Sequence, residues 1–197
     1  MFFLKEARGG NIYMPIDTPV DEKDFKYLLQ FSDCCRQKKI LNQKSKPKAD
    51  CMLIGETLAK AAIRQTFGIP VKHQHIIHGN GKPYLKDFPN VHFNISHSGK
   101  YAVCAVSDTP IGVDIQKIYG GYTPALFSRV CTESEIAQIE HSPDPSAEFI
   151  RLWTQKEAVV KMYGSGISRG DFKNCIKNEN IVTYRLEDYF LNVCSKK

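Results

Sequence analysis

Hydrophobic residues recur with helical spacing in three long parts of this chain and alternate with polar residues in several short parts. The helical spacing predicts helices near residues 21–39, near residues 49–67, and from Asp144-Pro145 through Lys161. The second helix is expected to end at Gly68, because Pro70 follows it, and the third near Gly164 or Gly166. A shorter helix is predicted over Thr132–Ile139, where Glu135 completes a capping box.

Short hydrophobic stretches bounded by turn residues predict strands. They lie at residues 71–77, 91–95, 101–106 and 111–115, with weaker ones at 172–176, 181–186 and 189–194. Two of these stretches, Tyr101–Ser107 and Tyr189–Ser195, have similar sequences and similar surroundings. Two α+β halves joined near residues 109–112 would explain the similarity, and chance resemblance between apolar strands is the alternative.

The predicted third helix carries charge within its apolar face. Lys156 lies near the centre of that face, where an unpaired charge would cost several kcal/mol to bury. Glu157 and Lys161 lie side by side on one flank. We therefore expect this helix to face a polyanion. The alternatives are that Lys156 extends along Trp153 to reach water, and that Glu157 and Lys161 form a surface ion pair worth about 0.2–0.5 kcal/mol.

Composition adds a bias towards acidic or phosphorylated partners. The 197 residues carry a formal net charge of +6, and six basic residues fall between Arg36 and Lys48 without an acid among them. That segment is either a solvated loop or an anion site. No run approaches the roughly 20 apolar residues of a membrane span. The seven cysteines include no C-x-x-C pair, so we expect reduced, mostly buried thiols and a cytoplasmic protein.

The predicted strand Ile111–Ile115 presents candidate metal ligands. Alternation places Gly112, Asp114 and Gln116 on one face of the strand. Hard cations such as Mg²⁺ take oxygen ligands, and Glu157 would supply a third oxygen. The alternative is an edge strand with ordinary polar residues on its wet face.

A second polar cluster follows the strand before it. Ser96 and His97 lie between Asn94 and Gly99, where hydroxyl, imidazole and backbone N–H groups suit phosphate oxygens. As neighbours on a strand, Ser96 and His97 point to opposite faces, and no G-x-S-x-G motif is present, which argues against a hydrolase. Upstream, the turn at residues 79–84 projects a single lysine, Lys82.

These residues match the signature blocks of a known family. Asn94-Ile-Ser-His-Ser98, Gly112-Val-Asp-Ile-Gln116 and Trp153-Thr-Gln-Lys-Glu-Ala-Val-Val-Lys161 resemble the three blocks of Sfp-type 4′-phosphopantetheinyl transferases, in the same order. Gly81-Lys82-Pro83 resembles a further block upstream. The resemblance spans roughly residues 36 to 166.

The resemblance implies a 4′-phosphopantetheinyl transferase fold, an α+β fold of two similar halves related by a pseudo-twofold axis, with the active site in the cleft between them. The halves would be residues 1–109, with the coenzyme A phosphate and adenine contacts, and residues 110–197, with the metal site and catalytic helix. It also implies Mg²⁺-dependent transfer of phosphopantetheine from coenzyme A to a serine of an apo acyl or peptidyl carrier protein. We expect a monomer without nucleic-acid or membrane partners.

The resemblance also assigns roles to individual residues. Asp114, Gln116 and Glu157 would bind Mg²⁺, and Glu157 and Lys161 would be catalytic. The coenzyme would be bound by Arg36, Lys39, Gly81, Lys82, Pro83, Ser96, His97 and Lys161. The family commonly has an acid where this chain has Gln116, so the site loses one negative charge and should bind the metal more weakly.

Three other interpretations compete with this one. The uncharged Gln116 is compatible with a coenzyme A-binding protein of the same fold that has little or no transferase activity. A nucleic-acid-binding module is disfavoured, because the basic run is not interleaved with aromatic residues. His73, His75 and His78 suggest either a transition-metal site or simple strand alternation.

Overall fold

The computed structural model describes residues 2–7, 10–15, 20–79, 81–164 and 172–197. Two residues of the sequence analysis, Asn80 in the predicted turn and Gly166 as a possible helix end, lie outside these ranges.

Six helices lie within the described ranges. They are α1 (Glu22–Leu29), α2 (Cys34–Leu41), α3 (Lys46–Phe67), α4 (Pro124–Val130), α5 (Glu133–Glu140) and α6 (Pro145–Tyr163). The first predicted helix is in fact two, because the Asp33 carboxylate accepts a hydrogen bond from the backbone N–H of Arg36 and starts a new helix. The predicted ends are confirmed: Gly68 and Gly164 adopt left-handed conformations, with φ of 69° and 68°. The predicted capping box at Thr132 and Glu135 is also present.

The strands form three antiparallel sheets. They are β1 (Phe2–Ala7), β2 (Gly10–Pro15), β3 (Ile76–Ile77), β4 (Tyr84–Leu85), β5 (His92–Ser98), β6 (Tyr101–Ser107), β7 (Ile111–Lys117), β8 (Asn180–Leu186) and β9 (Tyr189–Ser195). The sheet orders are β1-β2-β6-β5, β3-β4 and β7-β9-β8. Strands β1 and β2 do not correspond to any strand predicted from the sequence.

Two predicted strands are wrong. Residues 71–77 form a 3₁₀ turn at Val71–His73 and only a two-residue strand, because the buried Gln74 amide donates hydrogen bonds to the carbonyls of Lys60 and Ile69. Residues 172–176 contain another 3₁₀ turn, at Phe172–Asn174.

The two larger sheets share one connectivity. In each, a strand is followed along the chain by a long helix and a hairpin, and the second hairpin strand pairs with the first strand. The first half contains β2, α3, β5 and β6, and the second half contains β7, α6, β8 and β9. The similar segments are therefore the equivalent central strands, β6 and β9. The predicted α+β fold with two similar halves is confirmed.

One buried cluster packs the helix of each half on its sheet, and another joins the two halves. Helix α3 packs on one face of the first sheet, around Phe93 and Cys104. Helix α6 packs on the second sheet, around Val159 and Cys194. Between the halves, Val103 of β6 and Val113 of β7 belong to one buried cluster. Edge strands β5 and β7 are thereby brought side by side.

The cysteines are less buried than predicted. Cys104, Cys131 and Cys194 are buried, whereas Cys34 and Cys35 at the start of α2 are exposed.

Candidate active site

A polar cleft of about 320 Å³ lies where β5, β7 and α6 meet. It is lined by Ile95, Ser96, His97, Asp114, Gln116, Trp153, Glu157 and Lys161. Six of these residues were predicted as site residues from the sequence. The two acids of the predicted metal site, Asp114 and Glu157, therefore share one cleft although they are distant in the chain.

Gly112 determines how closely α6 approaches β7. A Cβ atom at this position would lie 2.0 Å from the carbonyl oxygen of Ala158 and 2.5 Å from the backbone nitrogen of Met162. Only glycine leaves room for such contact. Because Asp114 lies two residues further along the same strand face, the close packing places it opposite Glu157 and Lys161.

Asp114, Ser96 and Lys161 form a closed group of hydrogen bonds. The hydroxyl of Ser96 donates to Oδ1 of Asp114 at 2.7 Å. Nζ of Lys161 donates to the same Oδ1 at 2.5 Å and to Oγ of Ser96 at 3.0 Å. Asp114 is 5% exposed, and its charge is compensated by Lys161. The second oxygen, Oδ2, accepts no hydrogen bond from any described residue.

Glu157 lacks such compensation. Burial, together with the nearby charge of Asp114, raises the pKa of Glu157 to about 7, although Lys161 opposes the shift. Within the described ranges, neither the Glu157 carboxylate nor the Gln116 amide has a protein hydrogen-bond partner. The two carboxylates line one cleft and repel each other when both are ionised, and a cation bound between them would relieve that repulsion.

The donor set fits a hard cation that brings further ligands of its own. Asp114, Gln116 and Glu157 offer oxygen atoms, which Mg²⁺ prefers. Only two of them are carboxylates, and the part of the chain that the structure describes contains no group of three or more His, Cys, Asp and Glu side chains that could hold a metal. Water and phosphate oxygens would have to complete the coordination.

His97 lines the cleft in surroundings that two lysines make cationic. The side chain is exposed, yet its partial burial and the charge of Lys161 lower its pKa below the usual range, and Lys48 acts in the same direction. Lys48 belongs to the basic segment noted in the sequence. It was not predicted as a site residue, because its proximity to His97 depends on the fold and cannot be read from the sequence.

The prediction that Lys156 helps α6 to face a polyanion is wrong. The side chain is 1% exposed, and its ammonium donates to Oε2 of Glu135 at 2.8 Å and to the carbonyls of Val130 and Lys173 at 2.9 and 2.5 Å. Three acceptors satisfy its three protons. Lys156 therefore anchors neighbouring segments to α6, whereas Lys161 is the lysine that lines the cleft.

Arg36 and Lys39 do not line the cleft. Nε of Arg36 lies 2.8 Å from Oε2 of the buried Glu56, and its Nη2 donates to the carbonyl of Met52. Lys39 is exposed on α2. Their predicted contacts with the coenzyme stay predictions.

Gly81, Lys82 and Pro83 also lie outside the cleft lining. The ammonium of Lys82 donates to the carbonyl of Ile111, at the start of β7, at 2.5 Å. Burial lowers the pKa of Lys82 to about 8. Their roles likewise stay predictions.

Trp153 and Ile95 form apolar walls of the cleft, and neither is among the site residues predicted from the sequence. Trp153 is the only tryptophan of the chain and packs between Phe149 and Phe172. The sequence contained a signal for this role of Trp153. Trp153 lies four residues before Glu157 on the same helix, and residues four apart lie on the same helix face.

Comparisons with known proteins agree with this geometry. Residues 110–192 match the model of the 4′-phosphopantetheinyl transferase superfamily, and residues 18–109 match that of the 4′-phosphopantetheinyl transferase N-terminal region. The chain is 30% identical to 4′-phosphopantetheinyl transferase Sfp of Bacillus subtilis (strain 168), over 80% of this chain and 70% of that protein. The chain belongs to the 4′-phosphopantetheinyl transferase family.

Other members of the family are similar over different lengths. A 4′-phosphopantetheinyl transferase of Bacillus subtilis is 35% identical over 73% of this chain and 66% of its own length. The transferase psf-1 of Bacillus pumilus is 36% identical over 70% of this chain and 60% of its own. This family member thus spans somewhat less than two thirds of those two relatives. None of its described helices is long and apolar enough to cross a membrane.

Proposed function

We propose that this chain transfers the 4′-phosphopantetheine arm of coenzyme A to a serine of an apo acyl or peptidyl carrier protein and releases adenosine 3′,5′-bisphosphate. The observation that carries the proposal is the convergence of Asp114, Glu157 and Lys161 in one cleft. Family membership and the names of the relatives support it.

Asp114 and Glu157, with the amide oxygen of Gln116, would hold Mg²⁺. The bound ion would supply positive charge next to the phosphates of the coenzyme. Among the described residues, Oδ2 of Asp114, the Glu157 carboxylate and the Gln116 amide have no protein hydrogen-bond partner, which supports their assignment as ligands. The single charge lost at Gln116 would weaken the binding.

Lys161 and His97 would bind and orient the phosphates. Phosphoryl transfer depends mainly on positioning and on neutralising charge that develops on oxygen. Lys161 reaches into the cleft beside Asp114, and Lys48 lies near His97. Arg36, Lys39, Gly81, Lys82 and Pro83, in the half formed by residues 1–109, would contact the rest of the coenzyme. For these five residues the support is the resemblance of the motifs alone.

Glu157 would also accept the proton of the carrier serine, directly or through water. The serine oxygen attacks the β-phosphorus of coenzyme A, a new phosphorus–oxygen bond forms, and the bond to the departing nucleotide breaks. Glu157 lines the same cleft as Lys161 and Asp114, where a positioned carboxylate can take up a proton from the attacking hydroxyl. Lys161 would stabilise the charge that develops on the departing phosphate.

The proposal also includes a protein partner, an oligomeric state and a cellular location. A net charge of +6 favours an acidic carrier protein. We propose that the protein acts as a monomer in the cytoplasm. Val130, in the segment between the second and third motifs, is buried in the core of the second half and cannot contribute an exposed apolar contact.

The test is to incubate the chain with Mg²⁺, coenzyme A and a panel of apo carrier proteins, and to weigh the carriers by mass spectrometry. A carrier that gains the mass of one phosphopantetheine arm supports the proposal, and Glu157→Gln should abolish most of that gain. If coenzyme A binds but no carrier gains mass, the chain is a coenzyme A-binding protein. The observation that favours this second function is the uncharged Gln116, because it weakens the proposed metal site.

A further inference from the structure

We propose that Ser96 is a positioning residue that holds Asp114 in place for the metal, and that its hydroxyl is not a ligand of the coenzyme's phosphates. The inference rests on the proposed function. It departs from the role that the sequence motif assigns to Ser96.

The hydroxyl of Ser96 already uses its full hydrogen-bonding capacity within the protein. A hydroxyl has one proton to donate and two lone pairs to accept with. Ser96 donates to Asp114 Oδ1 at 2.7 Å, and it accepts from the backbone N–H of Ile115 at 3.3 Å and from Lys161 Nζ at 3.0 Å. The hydroxyl has no capacity left for a phosphate oxygen. The side chain is also 5% exposed, so a ligand would have to displace these partners.

Ser96 belongs to a row of side chains that joins the two halves. The backbone N–H groups of β7 that face β5 meet no strand backbone. Instead, that of Val113 donates to Oδ1 of Asn94 at 2.9 Å, and that of Lys117 donates to Oγ of Ser98 at 3.0 Å. Alternate side chains of β5 therefore take the place of a backbone ladder.

Ser96 is the member of this row that also contacts the metal site. It fixes the backbone of β7 at Ile115 and the carboxylate of Asp114 from the same oxygen atom. With Oδ1 held by Ser96 and Lys161, the free Oδ2 is the oxygen that is left for a cation. Residues that orient a metal ligand typically affect metal affinity 10–100-fold.

The two roles predict different defects in Ser96→Ala. A positioning role predicts that calorimetric titration with Mg²⁺ shows about a tenfold or greater loss of affinity. Binding of adenosine 3′,5′-bisphosphate in the presence of EDTA should stay within about twofold of wild type. Ser96→Thr, which keeps the hydroxyl, should restore Mg²⁺ binding. A phosphate ligand would give the reverse pattern, and that result would overturn the proposal.

Ser98→Ala is the matched control, because Ser98 accepts a bond from β7 without contacting Asp114. Its Mg²⁺ affinity should stay close to that of wild type. An equal loss of Mg²⁺ affinity in Ser96→Ala and Ser98→Ala would show that Ser96 only supports the contact between β5 and β7 and does not position Asp114. If Ser96→Ala does not fold, Ser96→Cys tests the same site with a weaker donor of similar size. Neither binding measurement requires transfer. Failure to load any carrier would therefore contradict the proposed function and leave the role of Ser96 to be decided by the titrations.

Discussion

Nζ of Lys161 lies 2.5 Å from Oδ1 of Asp114, a residue 47 positions earlier in the chain. This ion pair neutralises one of the two carboxylates in the cleft, whereas burial raises the pKa of the other, Glu157, to about 7. A cation that binds between the carboxylates must therefore share Asp114 with the lysine.

The first prediction concerns this competition. Replacing Lys161 with methionine removes a positive charge from the metal site and leaves Ser96 as the remaining hydrogen-bond donor to Oδ1 of Asp114 among the described residues. We expect Lys161→Met to bind Mg²⁺ more tightly than wild type in the absence of coenzyme A, by severalfold in a calorimetric titration, while carrier loading falls at least about a hundredfold.

Lys117→Met provides the control for the change in net charge. Lys117 is exposed at the end of β7, where it pairs with Asp188. Its replacement should leave both measurements nearly unchanged. Weaker Mg²⁺ binding in Lys161→Met would contradict the idea that the lysine and the metal compete for Asp114.

The second prediction concerns Gln116, which stands in the Gly112–Gln116 block where the family commonly has an acid. Gln116 lines the cleft, and Gln116→Glu adds a third carboxylate beside Asp114 and Glu157. A further negative charge should strengthen cation binding, so we expect the Mg²⁺ concentration for half-maximal carrier loading to fall by about an order of magnitude. The measurement is a loading assay over a range of Mg²⁺ concentrations. A requirement equal to or above that of wild type would show that Gln116 does not face the ion.

The third prediction tests the packing of α6 on β7. In Gly112→Ala, the new methyl group would meet the Ala158 carbonyl at 2.0 Å, so the helix or the strand must move. We expect a loss of about 1–3 kcal/mol or more in the free energy of unfolding and a larger proportional loss of carrier loading. Urea denaturation and the loading assay measure the two effects.

Gly120→Ala is the corresponding control. A Cβ atom at Gly120 would find its nearest neighbour, Oγ of Ser146, at an ordinary 3.9 Å. This variant should retain wild-type stability and activity. Equal effects of the two substitutions would mean that the close approach at Gly112 is not what positions the site.

The sequence could predict the cleft because its residues fall in short local patterns. Strand alternation placed Asp114 and Gln116 on one face, and helical spacing placed Glu157 beside Lys161. Neither pattern predicts that this face of β7 packs against this flank of α6. The resemblance to a known family supplied that step, and the packing at Gly112 provides its physical basis.

The errors arose where distant partners decide the outcome. Lys156 was assigned to a polyanion because the pattern of α6 alone showed no partner for it. Its partners are Glu135, 21 residues away, and two backbone carbonyls, none of which a helical pattern can reveal. Residues 71–77 failed as a strand for a similar reason, since the Gln74 side chain binds backbone groups of α3 and of Ile69.

The last prediction concerns the pH dependence of stability without metal. The folded-state pKa of Glu157, about 7, exceeds the ordinary value of 4.5. Between these values the folded chain holds a proton that the unfolded chain has released. Glu157 therefore contributes stability that is fully present below about pH 4.5 and is lost as the pH rises through 7.

In EDTA, the free energy of unfolding of the wild type should fall between pH 5 and pH 8 more steeply than that of Glu157→Gln, which cannot ionise. Glu140→Gln, which changes an exposed carboxylate on α5, should follow the wild-type curve. Saturating Mg²⁺ should remove much of the fall in the wild type, because the cation stabilises the ionised carboxylate in place of the proton. Parallel curves for wild type and Glu157→Gln would show that Glu157 ionises in the folded protein as it does in the unfolded chain, and would contradict the raised pKa of this carboxyl in the metal-free cleft.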